Sequence, residues 1–220
     1  MADRRFTAAG PLALVVLVLA VLLAAHAHGG PRAGAQAGRT VGEVSSAERA
    51  ATFHFDPALA PADRAAFLLA VSHARPEAQR LIAVIDGLVD VHVALTAAGI
   101  AGTTQSVGDR YSVTVNLGKV SAAYGQRGID RTVLHELGHV VDFALVPPAL
   151  DQQLDAQIPQ GYGCDQQLMG GCTATVERFA ESFAKWATGD IGVDLYLGYK
   201  VPPPDDLQGW GAPLAAVVGP

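Results

Sequence analysis

His135-Glu136-Leu137-Gly138-His139 is the string whose residue types and spacing can do chemistry. It lies in a predicted helix, and residues four apart share one helical face. Two imidazoles at that spacing can bind one zinc ion. The glutamate after the first histidine then stands beside the metal's open position, where it can take a proton from water. Zinc brings the pKa of that water towards about 7, so a nucleophile exists near neutral pH. The plainer reading is an amphipathic helix with two histidines on one face. Leu134, Leu137, Val141 and Leu145 already give the helix an apolar stripe, so the histidines are not needed as core filler.

A catalytic zinc takes three protein ligands and keeps one position open. Glu177 and Glu181 lie four apart on one face of a second predicted helix, while Phe179 and Phe183 take another face and can enter the core. One carboxylate can bind the metal. The other can hydrogen-bond a ligating histidine from outside and fix its tautomer. Two solvated glutamates are the alternative. Asp142, shortly after His139, is either another such outer partner or a polar residue near a helix end.

His135-Glu-Leu-Gly-His139-Val-Val-Asp142, followed by Glu177-Arg-Phe-Ala-Glu181-Ser-Phe183, resembles the catalytic domains of the anthrax lethal factor-like metallopeptidases, a group of gluzincins that includes secreted Pro-Pro endopeptidases. The resemblance covers residues 85–190 and is sharp in the two helices. It implies Glu177 as the third zinc ligand and Glu181 as its neighbour in the outer layer. It also implies that the polar strand face near Tyr111–Leu117 borders a substrate cleft. In similar members a tyrosine seven residues before the ligand glutamate stabilises the oxyanion. Here that position is Gly170, and the nearest Tyr-Gly pair is Tyr162-Gly163. Tyr162 is therefore the candidate for that role, with Tyr124, Tyr196 and Tyr199 as fallbacks.

Several elements must position these residues. Thr52–Phe55 reads as a short strand, Pro61–His73 as a helix, and Pro76–Ile85 as another that starts on proline. Leu88–Leu95 and Tyr111–Leu117 alternate as strands. Gly99–Gly108 and Gly118–Gly128 read as loops. The first metal helix should run over Ile129–Leu145 and stop at Pro147-Pro148, with Asp130 near its start. The second should run over Ala174–Ala187 and end at Gly189. Val201 onward, with its proline run, reads as an extended or mobile tail. The expected fold is α+β and zincin-like: a small, mainly antiparallel sheet packed on the two metal helices. The expected domain is 47–200, preceded by a flexible linker at 28–46. His54, His73 and His92 are read as structural or surface residues.

The chain has 220 residues, enough for one domain with a real core. Its net charge of −6, with no basic cluster in the body, argues against a nucleic-acid partner. Arg4-Arg5, the apolar run Leu12–Ala25 and the small-x-small Ala25-His26-Ala27 have the layout of a secretory signal peptide over residues 1–27. An uncleaved anchor facing outside is the competing reading, and the only one that brings in a membrane. Cys164 and Cys172 fit an oxidising compartment, where such a pair forms a disulfide that closes a small loop; two free thiols are the alternative. These features lead to the expectation of a secreted zinc endopeptidase acting on protein or peptide substrates. The other readings are a non-catalytic zinc-binding adhesion or regulatory module, which would tolerate loss of Glu136, and a metal-free helical protein.

Overall fold

A computed structural model describes residues 52–97, 100–159, 175–192 and 201–219, all within the compact unit Glu48–Pro220. The leader 1–27, the linker 28–46, Tyr162, Cys164, Cys172, Tyr196 and Tyr199 lie outside these residues. Among the described residues the chain is α+β, with a four-stranded mixed sheet and six α-helices.

β1 (His54–Phe55) leads into α1 (Pro61–Ser72) and α2 (Pro76–Ile85). Each helix opens on proline, whose fixed φ suits the first turn and whose missing N–H is not needed there. Phe67 and Ala70 of α1, and Ala78, Leu81, Ile82 and Ile85 of α2, are buried at helical spacing. β2 (Val89–Val93), β3 (Gly102–Val107) and β4 (Arg110–Val115) complete the sheet in the order β1-β2-β4-β3. Val89, Val91, Val113 and Val115 are fully buried, while the alternate residues Asp90, His92, Ser112 and Thr114 are only partly covered. That difference marks one face of the sheet as the core face.

Two expectations about this region are corrected. The sheet is not mainly antiparallel: β1–β2 and β2–β4 pair in parallel, and only β3–β4 is antiparallel. The chain leaves β2, passes β4's eventual place and returns between the two after forming β3 at the edge. Gly99–Gly108 is likewise not all loop, because it contains β3. Gly108-Asp109 joins β3 to β4 as a two-residue hairpin turn, and Gly108 takes the positive φ of 64° that glycine adopts without strain.

α3 (Leu117–Leu145) is broken at Gly125, where φ is 61° and ψ −151°. Its first arm occupies most of the segment expected as the loop Gly118–Gly128. The Asn116 side chain starts that arm by accepting from the Lys119 backbone N–H, and Val120 is buried in it. Asp130 consequently sits inside α3 and pairs with His73. α4 (Pro148–Asp155) begins on the second of the two prolines. α5 (Thr175–Thr188) buries Phe179 and Phe183 completely. Gly138 of α3 meets it at close range: a Cβ on Gly138 would stand 3.1 Å from the Cα of Ala180.

The segment after Val201 is not extended throughout. It forms α6 (Leu207–Ala215), capped by the Asp206 side chain, which accepts from the Gly209 backbone N–H. Trp210 is wholly buried, lies 5.6 Å from the Phe179 ring and donates from Nε1 to the Leu154 carbonyl. An anchor of that size makes the C-terminal segment part of the core that holds α5. Among the described residues, no helix is long and apolar enough to cross a membrane.

Candidate metal centre

His135 and His139 stand one turn apart on the second arm of α3, their ring centroids 4.9 Å apart and nearly perpendicular. Glu177, in the first turn of α5, reaches both: its Oε2 lies 3.2 Å from His135 Nε2 and 3.6 Å from His139 Nε2. One ligand-type atom from each of the three residues falls within 4.8 Å of the others. Two imidazole nitrogens and a carboxylate oxygen so arranged are a donor set suited to zinc. The close α3–α5 approach at Gly138 brings the carboxylate within reach.

The electrostatics agree with a site made for a cation. Burial opposes charging of His135, but the carboxylates of Glu177 and Glu181 beside it, with Glu136 nearby, overcome that and hold its pKa at about 10. Burial likewise opposes ionisation of Glu177, yet its contacts with His135 and His139 leave its carboxyl well below the usual range. The cluster thus stabilises positive charge among its nitrogens and negative charge on its oxygens.

Glu136 turns to the sheet. It is buried, and Thr104 Oγ1 of β3 lies 2.7 Å from its Oε2 and 3.1 Å from its backbone carbonyl. The single hydroxyl proton can serve either acceptor. Gly102, also on β3, has no side chain to block this pose: a Cβ there would meet Glu136 Oε1 at 2.5 Å. Burial raises the Glu136 pKa, against the pull of His135, His139 and Thr104.

The resemblance's expectation that the polar face of β4 borders the cleft is corrected here. Thr104 is paired with Val113, on the core face, whereas Ser112 and Thr114 alternate to the other side. The polar residue that meets Glu136 comes from the edge strand β3.

The two outer carboxylates part company. Glu181 Oε2 lies 3.2 Å from His135 Nδ1, and its Oε1 accepts from Arg131 at 2.6 Å with Lys185 Nζ 3.4 Å away. Arg131 and Lys185 are themselves buried, and they bond the carbonyls of Asp190 and Val201 respectively. Asp142 meets no histidine. It is buried near Asp151 and Asp155 of α4, and burial first, then those two charges, push its carboxyl up to about 7. Asp155 is in turn ion-paired with Arg178. Among the described residues His139 Nδ1 has no hydrogen-bond partner, and the ring is stacked on Phe143 at 5.9 Å. His54, His73 and His92 pair instead with Asp90, Asp130 and Asp56.

Sequence reasoning passed over Gly102, Thr104, Arg131, Lys185 and Phe143. The Gly-Asp turn ahead of a clear strand was the available signal for β3. Arg131 lies four residues before His135, so helical spacing places it on the same face. Comparisons with known proteins add nothing to this picture: no protein-family model, curated protein or solved structure matches the chain.

Proposed function

We propose that the chain is a secreted zinc-dependent endopeptidase with a zincin-like catalytic domain, in which His135, His139 and Glu177 hold the metal and Glu136 is the general base. The observation that carries this reading is the convergence of the Glu177 carboxylate on both histidine Nε2 atoms, with Glu136 beside them against the edge strand. A bound zinc ion supplies a Lewis acid there and makes water a nucleophile near neutral pH.

The chain's own residues account for the rest. Among the described residues β3 is the edge strand of the sheet, the place where an extended peptide would add as a further strand. Thr104 holds the Glu136 carboxylate by one oxygen, leaving the other to take the proton of the attacking water. Glu136 then delivers that proton to the leaving amine. Glu181 accepts from His135 Nδ1 and so fixes the ring with Nε2 beside Glu177, the nitrogen that would bind the ion once its proton is lost. Tyr162 is assigned to the developing oxyanion on the strength of the motif resemblance, and one such donor is typically worth about 2.7–4 kcal/mol. The leader assigns export, and Cys164–Cys172 is the proposed disulfide.

A mixed peptide library incubated with the protein and with Glu136→Ala, read by mass spectrometry, tests this. Cleavage by the wild type alone, stopped by a chelator, is the expected result. Retained zinc with no cleavage by either protein would favour the non-catalytic binding module.

A further inference from the structure

The proposed reaction uses neither Arg131 nor Lys185, yet both are long cations left only 2% and 1% exposed. Such a cation stays buried only where it is paired and hydrogen-bonded. The two share one carboxylate oxygen: Arg131 Nη2 donates to Glu181 Oε1 at 2.6 Å, and Lys185 Nζ lies 3.4 Å from the same atom. Arginine has five donors and lysine three, so that oxygen leaves both with N–H groups to satisfy. Two backbone carbonyls take them. Arg131 Nη1 donates to the Asp190 carbonyl at 2.5 Å, and Lys185 Nζ donates to the Val201 carbonyl. Both carbonyls lie beyond the end of α5 in the chain.

Glu181 turns its other oxygen to His135 Nδ1, 3.2 Å away. A continuous polar path therefore runs from the Val201 carbonyl through Lys185 and Glu181 to a metal-site histidine. Its far end is held in place by packing. Val201 is fully buried, and Trp210 of α6 lies against Phe179. Gly211 of α6 approaches α5 so closely that a Cβ there would collide with the Trp186 indole. Withdrawing the Val201 carbonyl would leave a buried ammonium short of an acceptor, a state that the low-dielectric interior makes costly. Docking of this segment and the pose of Glu181 are thereby linked.

We propose that the segment from Val201 to α6 governs metal retention: its Val201 carbonyl fixes Lys185, and Lys185 with Arg131 fixes Glu181 on His135 Nδ1. The proposal rests on the metal-centre reading above. Arg131 and Lys185 are positioning residues, which act through Glu181 and touch neither metal nor substrate. An outer hydrogen-bond partner of a metal-binding histidine is worth about 10–100-fold in metal affinity. Linkage is reciprocal, so whatever factor docking of α6 adds to zinc affinity, zinc adds to the docking of α6.

The test uses the full chain, wild type and Lys185→Met, with and without zinc. Zinc affinity is read by competition with a chromophoric chelator, and backbone docking by hydrogen exchange followed by mass spectrometry. Zinc should slow exchange in α6 of the wild type more than in α1, which serves as the measure of general stabilisation. Lys185→Met, folded by circular dichroism, should bind zinc about tenfold or more weakly, and zinc should protect its α6 no more than its α1. Wild-type zinc affinity in folded Lys185→Met would overturn the proposal. So would a wild-type α6 that zinc protects no more than α1, a result that needs no variant and decides the matter even if Lys185→Met does not fold. If the wild type binds no zinc at all, the metal-centre reading itself fails and takes the proposal with it.

Discussion

Behind His135 the chain is buried and ionic, whereas beyond His139 it is acidic on one side and aromatic on the other. Glu181 and Asp142 are both buried carboxylates within reach of the metal helix, yet they live under opposite conditions. Glu181 meets a histidine, an arginine and a lysine; burial opposes its charge, but His135 and Arg131 outweigh that and hold its carboxyl below the usual range. Asp142 meets two further aspartates and is pushed up to about 7. The difference teaches that a buried carboxylate near the metal helix stays charged and partners a histidine only where the packing supplies countercharge. α3 itself and α5 supply it behind His135; α4 supplies only more negative charge behind Asp142.

Removing the countercharge should break this contrast most severely. Arg131→Met leaves Glu181 with one charge partner fewer in a buried place, and a loss of about 3–5 kcal/mol is expected in chemical denaturation. A stability close to wild type would mean that Lys185 and His135 suffice. On the other side, Asp142→Asn should stabilise the protein. The folded chain keeps a proton on Asp142 up to about pH 7, whereas an unfolded aspartate releases it near about 3.9. The unfolded state therefore binds fewer protons between those values, and stability falls as pH rises through that window. The gain from Asp142→Asn should reach as much as about 4 kcal/mol above pH 7 and vanish below about pH 4. Denaturation midpoints for both proteins at pH 4 and pH 8 would show it; a constant difference would refute the assignment.

A finer separation comes from metal affinity. Glu181→Gln keeps the shape but weakens the acceptor on His135 Nδ1, and zinc affinity should fall about 10–100-fold. Asp142→Asn should leave that affinity unchanged, since no histidine contact is lost. Competition with a chromophoric chelator reads both, and equal losses would erase the distinction between the two carboxylates.

Much of this arrangement was visible beforehand because it depends on local periodicity. Pro76–Ile85 carries its own start signal and apolar spacing, and α2 has those bounds. The strings around His135 and Glu177 are helical by the same logic. What was not visible depends on partners distant in sequence. β3 carries Thr103, Thr104, Gln105 and Ser106, a strand with no apolar face of its own, which reads as loop until β4 pairs with it. Parallel pairing of β2 with β4 leaves no mark in either strand. α6 is short, rich in glycine and interrupted by Pro213, and it is held by Trp210 entering a core built elsewhere. Among the candidate outer partners, Glu181 and Asp142 look alike as residues on a helix; only the packing of α5 and α4 tells them apart.

The proposed function depends first on two histidines of α3 and one glutamate of α5 holding a single metal ion. Zinc content by elemental mass spectrometry, measured on the wild type, Glu177→Ala and Glu136→Gln after dialysis against low zinc, tests it most directly. One zinc per chain is expected in the wild type and in Glu136→Gln, and its loss in Glu177→Ala while that protein stays folded. Equal zinc in all three, or none in the wild type, would contradict it.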